Sequence, residues 1–308
     1  MNLRLWTLEI KDQVDLPEFK AFNLEVHSRR TLTKSGTKTV EAMVQSISSI
    51  THSYTVMPII SASGSLLSPL YIVLKETTAT FDHGCRKVFR PVNIYIESSK
   101  SGKLIGTLNK FSMIFRKYEV YLLNTDRKNM PLLDSRTGHC PSQLEQYIPE
   151  DKEVKFITIP KKTTGFIQSL HIFGFRIWKN FVRTFSDNVI LQEKDINLHS
   201  RSEIIKLQSL THNQFSSPRF KNLFQYAWFK SSYLTTHPSE FQNSEDFCYY
   251  RNEKHISKCS ICGRAAFMGC ALCEEYFVFK IFIKKPLLYQ LQSNNLKNLR
   301  FCSITRNV

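Results

Sequence analysis

Between residues 154 and 183 the chain reads VKFITIPKKTTGFIQSLHIFGFRIWKNFVR. VKFITIP has the apolar, β-branched composition of a strand, and Pro160 stops it because proline has no N–H to give to a ladder. Lys161 to Gly165 have loop composition. From about Ser169 to Phe185, Ile172, Phe175, Ile177, Trp178, Phe181 and Val182 fall on one helical face. A strand, a loop and an amphipathic helix in that order make this half of the chain α/β. Arg176, Lys179 and Arg183 recur at i+3 and i+4 spacings and therefore share one side of the helix.

Upstream, residues 19–75 give a different rhythm. FKAFNLEV, TKTVEAMVQSISS, HSYTVMPIISA and LLSPLYIVLKE are separated by turn chemistry such as SASGS, which predicts an antiparallel meander. RPVNIYIES follows, then a basic amphipathic segment from Leu104 to Leu122, then MPLLD, a turn at SRTGHCPS and a short helical QLEQYI. Hairpins first and crossovers later predict a mixed sheet flanked by helices. Asp134 ends the MPLLD run at the carboxyl end of a predicted strand. There it is either a ligand-crevice residue or a turn-capping Asp before Ser135. A further helix is expected from about Arg201 to Leu210, followed by SSPRFKNLFQYAWFKSSY, whose aromatics suit a core. Residues 238–250 are polar and acidic and mark a boundary.

The chain has 308 residues, 42 Lys and Arg against 26 Asp and Glu, and a formal charge of +16. Such a field favours a phosphate-rich partner, with nucleic acid ahead of a solvated basic surface or a membrane face. The excess is uneven. No acidic residue falls between Glu153 and Asp187, where Lys155, Lys161, Lys162, Arg176, Lys179 and Arg183 lie, and none follows Glu275. The most apolar window, residues 55–74, is interrupted by Pro58, Gly64 and Pro69, so no membrane span is predicted.

Four of the eight cysteines, Cys259, Cys262, Cys270 and Cys273, are spaced C-x2-C-x7-C-x2-C. Two thiolate pairs each chelate one edge of a tetrahedral ion, so the spacing predicts a closed, structural Zn²⁺ site. Gly263 and Gly269 flank the two pairs as tight turns require. With no apolar signal segment before residue 30, the cysteines are read as reduced and not as a disulfide framework.

FNLEVHSRRTLTKSGTKTVEAMVQSISSITHSYTVMPIISASGSLLSPLYIVLKE, FRPVNIYIESSKSGKL, LLDSRTGHC and KFITIPKKTTGFIQSLHIFGFRIWKNFVR together resemble the DDE superfamily endonucleases, specifically the pogo/Tigger-like transposases of the mariner group. The resemblance covers roughly residues 18–235. It implies an RNase H-like fold in which three carboxylates hold two Mg²⁺ or Mn²⁺ ions for DNA phosphodiester cleavage and strand transfer. It places the endonuclease domain at 16–235, incomplete at its amino-terminal edge. A linker at 236–256, the four-cysteine zinc-ribbon-like module at 257–285 and a basic tail at 286–308 follow.

Carried over residue by residue, the second family carboxylate is Asp134 within LLDSRTGHC. The first falls on Glu18, with Asp15 the remnant under a shifted alignment. The third falls on His171, because IQSLH stands where the family has I-Q-P-L-D, and Ser169 replaces the proline. Histidine is a poor ligand for a hard cation, and the nearest acid downstream is Asp187. With two of three metal positions altered, the resemblance implies impaired two-metal chemistry.

Because the sequence begins almost at the first catalytic strand of the resemblance, the expectation is that the family's amino-terminal helix-turn-helix region is missing. Relatives' further Cys and His after the fourth cysteine correspond here to Val278 and Ile281. The resulting expectation is a nuclear, transposase-derived protein that holds DNA phosphates through Lys161, Lys162, Arg176, Lys179 and Arg183. The alternatives are a residual metal-dependent endonuclease, and a zinc-stabilised module that binds a protein partner on a transposase scaffold.

Overall fold

The computed structural model describes residues 54–76, 90–102, 130–134, 145, 148, 153–249 and 257–282. The predicted strands FKAFNLEV and TKTVEAMVQSISS, the basic segment from Leu104 to Leu122, the SRTGHCPS turn and the 286–308 tail lie outside the described residues, as do Glu18 and Asp15.

Strands β1 (Tyr54–Ile60) and β2 (Leu66–Lys75) form the hairpin expected from the SASGS turn, antiparallel, with Ile60 opposite Leu66. Gly64 takes φ +83° in that turn, and an added Cβ would lie 2.1 Å from the Lys221 carbonyl oxygen, so both the turn and a neighbouring helix require glycine here. The ladder shifts register between Met57 and Ile59. Pro58 and Pro69 fall at that shift, where no backbone donor is demanded of them. β3 (Ile94–Ser99) runs parallel to β2, giving a three-stranded mixed sheet in the order β1-β2-β3.

The central strand β2 explains the packing. Leu70, Tyr71, Ile72, Val73 and Leu74 are all buried, a continuous apolar run of the kind seen where both sheet faces are covered. Leu70, Ile72 and Leu74 face the main core with Tyr54 and Val56, while Tyr71 and Val73 face the opposite way against Tyr95, Leu133 and Phe156. Leu133 belongs to β4 (Leu132–Asp134), which pairs in parallel with β5 (Ile157–Ile159). This pair therefore lies over one face of the sheet, and helices cover the other.

Helix α1 (Thr164–Ile167) is one turn, followed by a π-helical turn over Leu170–Gly174 and then α2 (Phe175–Leu191). The sequence reading ends α2 near Phe185, but no breaker intervenes and Val189 is buried, so the helix continues to Leu191. The reversal follows there, with Glu193 at φ +49°. Helix α3 (Arg201–Phe215) starts at a serine N-cap. Ser200 accepts from the Glu203 N–H, and Glu203 in turn pairs with Lys206 at 2.6 Å. It also outruns its expected end at Leu210, because Thr211, His212, Gln214 and Phe215 are buried.

A 3₁₀ turn (Pro218–Phe220) leads into α4 (Lys221–Lys230), and α5 is Ser244–Cys248. Phe220 and Phe224 are fully buried, as expected of core aromatics, whereas Tyr226 and Phe229 are half-exposed. Within the 236–256 stretch, Ser244, Glu245 and Cys248 of α5 are buried.

Polar contacts tie the helices to one another and to the sheet. Trp178 of α2 donates to Gln208 of α3 at 2.9 Å, and Gln208 donates to the Tyr54 hydroxyl of β1 at 3.1 Å. At the other end of α3, Arg201 pairs with the buried Glu76 carboxylate just after β2 at 2.6 Å. The core that these contacts enclose continues through Met268, Cys270, Ala271, Phe277 and Phe282, so the cysteine-rich segment shares apolar contacts with α2 and α3.

Candidate nucleic-acid interface and cysteine module

The loop after β5 is fixed by local bonds. The Thr163 N–H and hydroxyl both donate to the Pro160 carbonyl, at 3.2 and 2.8 Å, and Lys162 takes the left-handed φ of +70° at the turn. Lys161 and Lys162 are exposed at its tip. The loop leaves the carboxyl end of β5, whose last residue, Ile159, is opposite Asp134 in the parallel register. The Asp134 backbone therefore sits at the strand end where the sequence places a site residue.

Arg176, Lys179 and Arg183 follow on α2. Arg176 is exposed, with its guanidinium 5.9 Å from the centre of the Phe173 ring, while Lys179 and Arg183 are half-buried. Partial burial, and then the like charge of Arg183 one turn on, hold the Lys179 ammonium below the ordinary lysine range. Two cations this close repel each other, and an anion lying across both would relieve the repulsion.

His171 lies in the π-helical turn, exposed, with its ring edge-on to Phe175 at 5.0 Å. A π-turn inserts an extra residue into the helical ladder, a strained arrangement that recurs at functional sites. Ser169, where the family motif has proline, is buried and hydrogen-bonded to the Ser231 hydroxyl at 2.7 Å, joining the start of the turn to the end of α4. Asp187 lies further along α2, half-buried. Among the described residues no three His, Cys, Asp or Glu side chains are gathered as a metal-binding set.

The two C-x2-C segments fold as the same turn. In the first, the Cys259 N–H donates to the Arg264 carbonyl at 2.7 Å and the Gly263 N–H returns to the Cys259 carbonyl at 2.9 Å. In the second, the Cys270 N–H donates to Glu275 O and the Glu274 N–H to Cys270 O, both at 2.8 Å. The left-handed residue that closes each turn follows the second cysteine: Gly263 at φ +68° and Glu274 at φ +56°. Gly269, read from the sequence as flanking the second turn, instead ends strand β6 (Met268–Gly269), paired antiparallel with β7 (Tyr276–Phe277). The tight position lies after the cysteine pair, and in the second turn it is occupied by a glutamate.

The turns differ in their surroundings. Cys262 is exposed, and hydrogen bonding from Arg264, with a smaller contribution from Cys259, pulls its thiol down to about 7. Cys270 is buried, 3.6 Å from the Gln214 amide nitrogen of α3. Gln214 also accepts from the Ala271 N–H at 2.7 Å, and Ser217 donates to the Ala271 carbonyl at 2.8 Å, so both backbone groups of Ala271 are held by α3 and the turn after it.

Arg219 pairs with Glu274 and lies 4.2 Å above the Phe247 ring. Residues Gln214, Ser217 and Arg219 carry no motif, and spacing alone gives no sign of them. The two turns match in backbone geometry, but among the described residues the thiols of Cys259, Cys262, Cys270 and Cys273 are not gathered as a metal-binding set.

Residues 228–287 match the Tc5 transposase C-terminal domain. The matched segment takes in the end of α4, α5 and both cysteine turns, and it supports a transposase-derived chain. No curated protein and no solved structure matches the chain. Among the described residues no helix is long and apolar enough to cross a membrane.

Proposed function

We propose that this is a transposase-derived, nuclear DNA-binding protein with a DDE-type, RNase H-like core of the pogo/Tigger kind, impaired in two-metal cleavage. The observation that carries the binding half is the acid-free stretch from Lys155 to Arg183. It delivers Lys161 and Lys162 on a fixed loop and Arg176, Lys179 and Arg183 on one side of the helix that follows. Phosphates would be held there with little sequence preference. The Tc5-type segment at the carboxyl side supports the transposase-derived part of this reading.

The impaired half rests on His171. Two metal ions need clustered hard oxygen donors, and a neutral imidazole at an exposed π-turn is a poor substitute for a carboxylate. Cys259, Cys262, Cys270 and Cys273 would hold Zn²⁺, which would serve as a cross-link fastening the module to α3.

Binding is tested by titrating a labelled DNA duplex at several salt concentrations. Lys179→Ala with Arg183→Ala is expected to flatten the dependence of log Kd on log salt by about 2, close to 1 for each phosphate contact removed. An unchanged slope would remove α2 from the interface. Cleavage is tested by Mn²⁺-dependent plasmid nicking. The wild type is expected to leave plasmid intact, and nicking gained by His171→Asp but lost in His171→Asp with Asp134→Ala would show that the rest of the site survives.

A further inference from the structure

Phe166 stands apart from the other aromatic residues of the helical half. Phe173, Trp178, Phe181, Phe185, Phe215, Phe220, Phe224 and Tyr226 all have ring neighbours. Phe166 is 75% exposed and has no ring partner among the described residues. Its backbone is held, since the Phe166 N–H donates to the Thr163 carbonyl at 2.8 Å and the preceding turn is closed on Pro160. Beside it Gly165 has no Cβ, and nothing stands within 4 Å of where one would be, so a flat group could approach this side of the turn without meeting a wall.

The flanking charge is of one sign. Lys161 and Lys162 are exposed immediately upstream, and the nearest acids along the chain are Glu153 and Asp187. An exposed ring on a rigid turn beside two ammonium groups matches the two chemistries of a nucleotide, a planar base and its phosphate. In a paired duplex the base faces are stacked on one another and closed to a side chain. The ligand that fits is therefore an unpaired base.

We infer that Phe166, with Lys161 and Lys162, forms a stacking site for an unpaired nucleobase of DNA at the carboxyl end of the β4–β5 pair. This rests on the DNA-binding reading and extends it from paired to locally opened DNA. The backbone of Asp134 ends β4 at the same edge, so a strand seated on Phe166 would pass the strand end that the family motif marks.

The test uses the full chain with two duplexes of equal length, one fully paired and one with a short single-stranded gap carrying 2-aminopurine. The wild type is expected to prefer the gapped duplex by about tenfold, with a change in 2-aminopurine fluorescence, as one stacked base should give. Phe166→Ala should lose that preference while its affinity for the paired duplex stays within about twofold, and Phe166→Trp should keep it, with its own fluorescence quenched.

Equal preference in wild type and Phe166→Ala would overturn the inference and leave duplex binding in place. Failure of the wild type to bind either DNA would overturn both readings. Loss by Phe166→Ala of binding to phosphatidylserine–phosphatidylcholine vesicles, with DNA binding unchanged, would overturn it in favour of a membrane surface. Because Phe166 is exposed, thermal melting of the variants should match the wild type.

Discussion

Phe215→Ala is expected to lower the unfolding free energy by about 4 kcal/mol, the usual cost of removing a buried phenylalanine ring that its neighbours cannot replace. Phe215 ends α3 and is 2% exposed. Its ring stacks on Trp178 at 5.4 Å and meets Phe181 at 5.4 Å, Phe220 at 5.8 Å and Phe224 at 5.8 Å. One side chain therefore touches α2, the 3₁₀ turn and α4 together, and truncation leaves a cavity bordered by three separately anchored elements.

Rings held at fixed helix positions cannot collapse into such a space without moving backbone, so most of the cost should remain. Urea unfolding of wild type and variant measures it. A loss below about 1 kcal/mol would mean that the cluster relaxes and that Phe215 is not its centre. Phe166→Ala, the same chemical change at an exposed site, should cost under about 0.5 kcal/mol and serves as the control.

The difference between those two phenylalanines marks how far the sequence can be read. Helical spacing was enough to place Ile177, Trp178, Phe181 and Val182 in the core, because a helix that buries one face must repeat its apolar positions. Alternation and the SASGS turn were enough for the β1–β2 hairpin. Periodicity does not report where a helix stops when no proline or glycine ends it, so α2 and α3 both extend past their expected ends.

Nor does it report partners at long range. Gln208 reads as an ordinary polar helix residue, yet it is fully buried and bridges Trp178 and Tyr54. The cysteine spacing gave two pairs but not the equivalence of their turns, which lies in backbone bonds and in the left-handed Glu274. Of the candidate site, the basic side of α2 was legible because charge spacing on a helix is a local property. The assembly of distant carboxylates is not local, and Glu18 lies outside the described residues.

Acid should weaken the fold through His212, which burial holds neutral. His212 of α3 is 1% exposed, and burial pushes it down to about 4 from an ordinary value of 6.5, the hydrogen bond to the Leu67 carbonyl opposing this only in part. Its Nε2 is 2.9 Å from that carbonyl and its Nδ1 is 3.3 Å from the Asn93 amide nitrogen. An amide nitrogen only donates, so Nδ1 accepts and Nε2 carries the proton, with the two N–H groups of the Asn93 amide shared among Nδ1, the Ser209 carbonyl and Asn213 Oδ1. Asn93 is fixed in turn by Ser209 and Asn213, so it cannot turn away to accommodate a second ring proton.

The unfolded chain binds a proton here near pH 6.5 and the folded chain only near pH 4. Stability from this group is therefore fully present above about pH 6.5 and is lost as pH falls through about 4, in total about 3 kcal/mol. Urea unfolding at pH 7.5 and pH 4.5 should show the wild type losing about 2.5 kcal/mol more than His212→Gln, which cannot titrate. Equal pH dependence in the two would mean that this pocket opens to water before the chain unfolds, and that the Asn93 network does not seal the junction between α3 and the sheet.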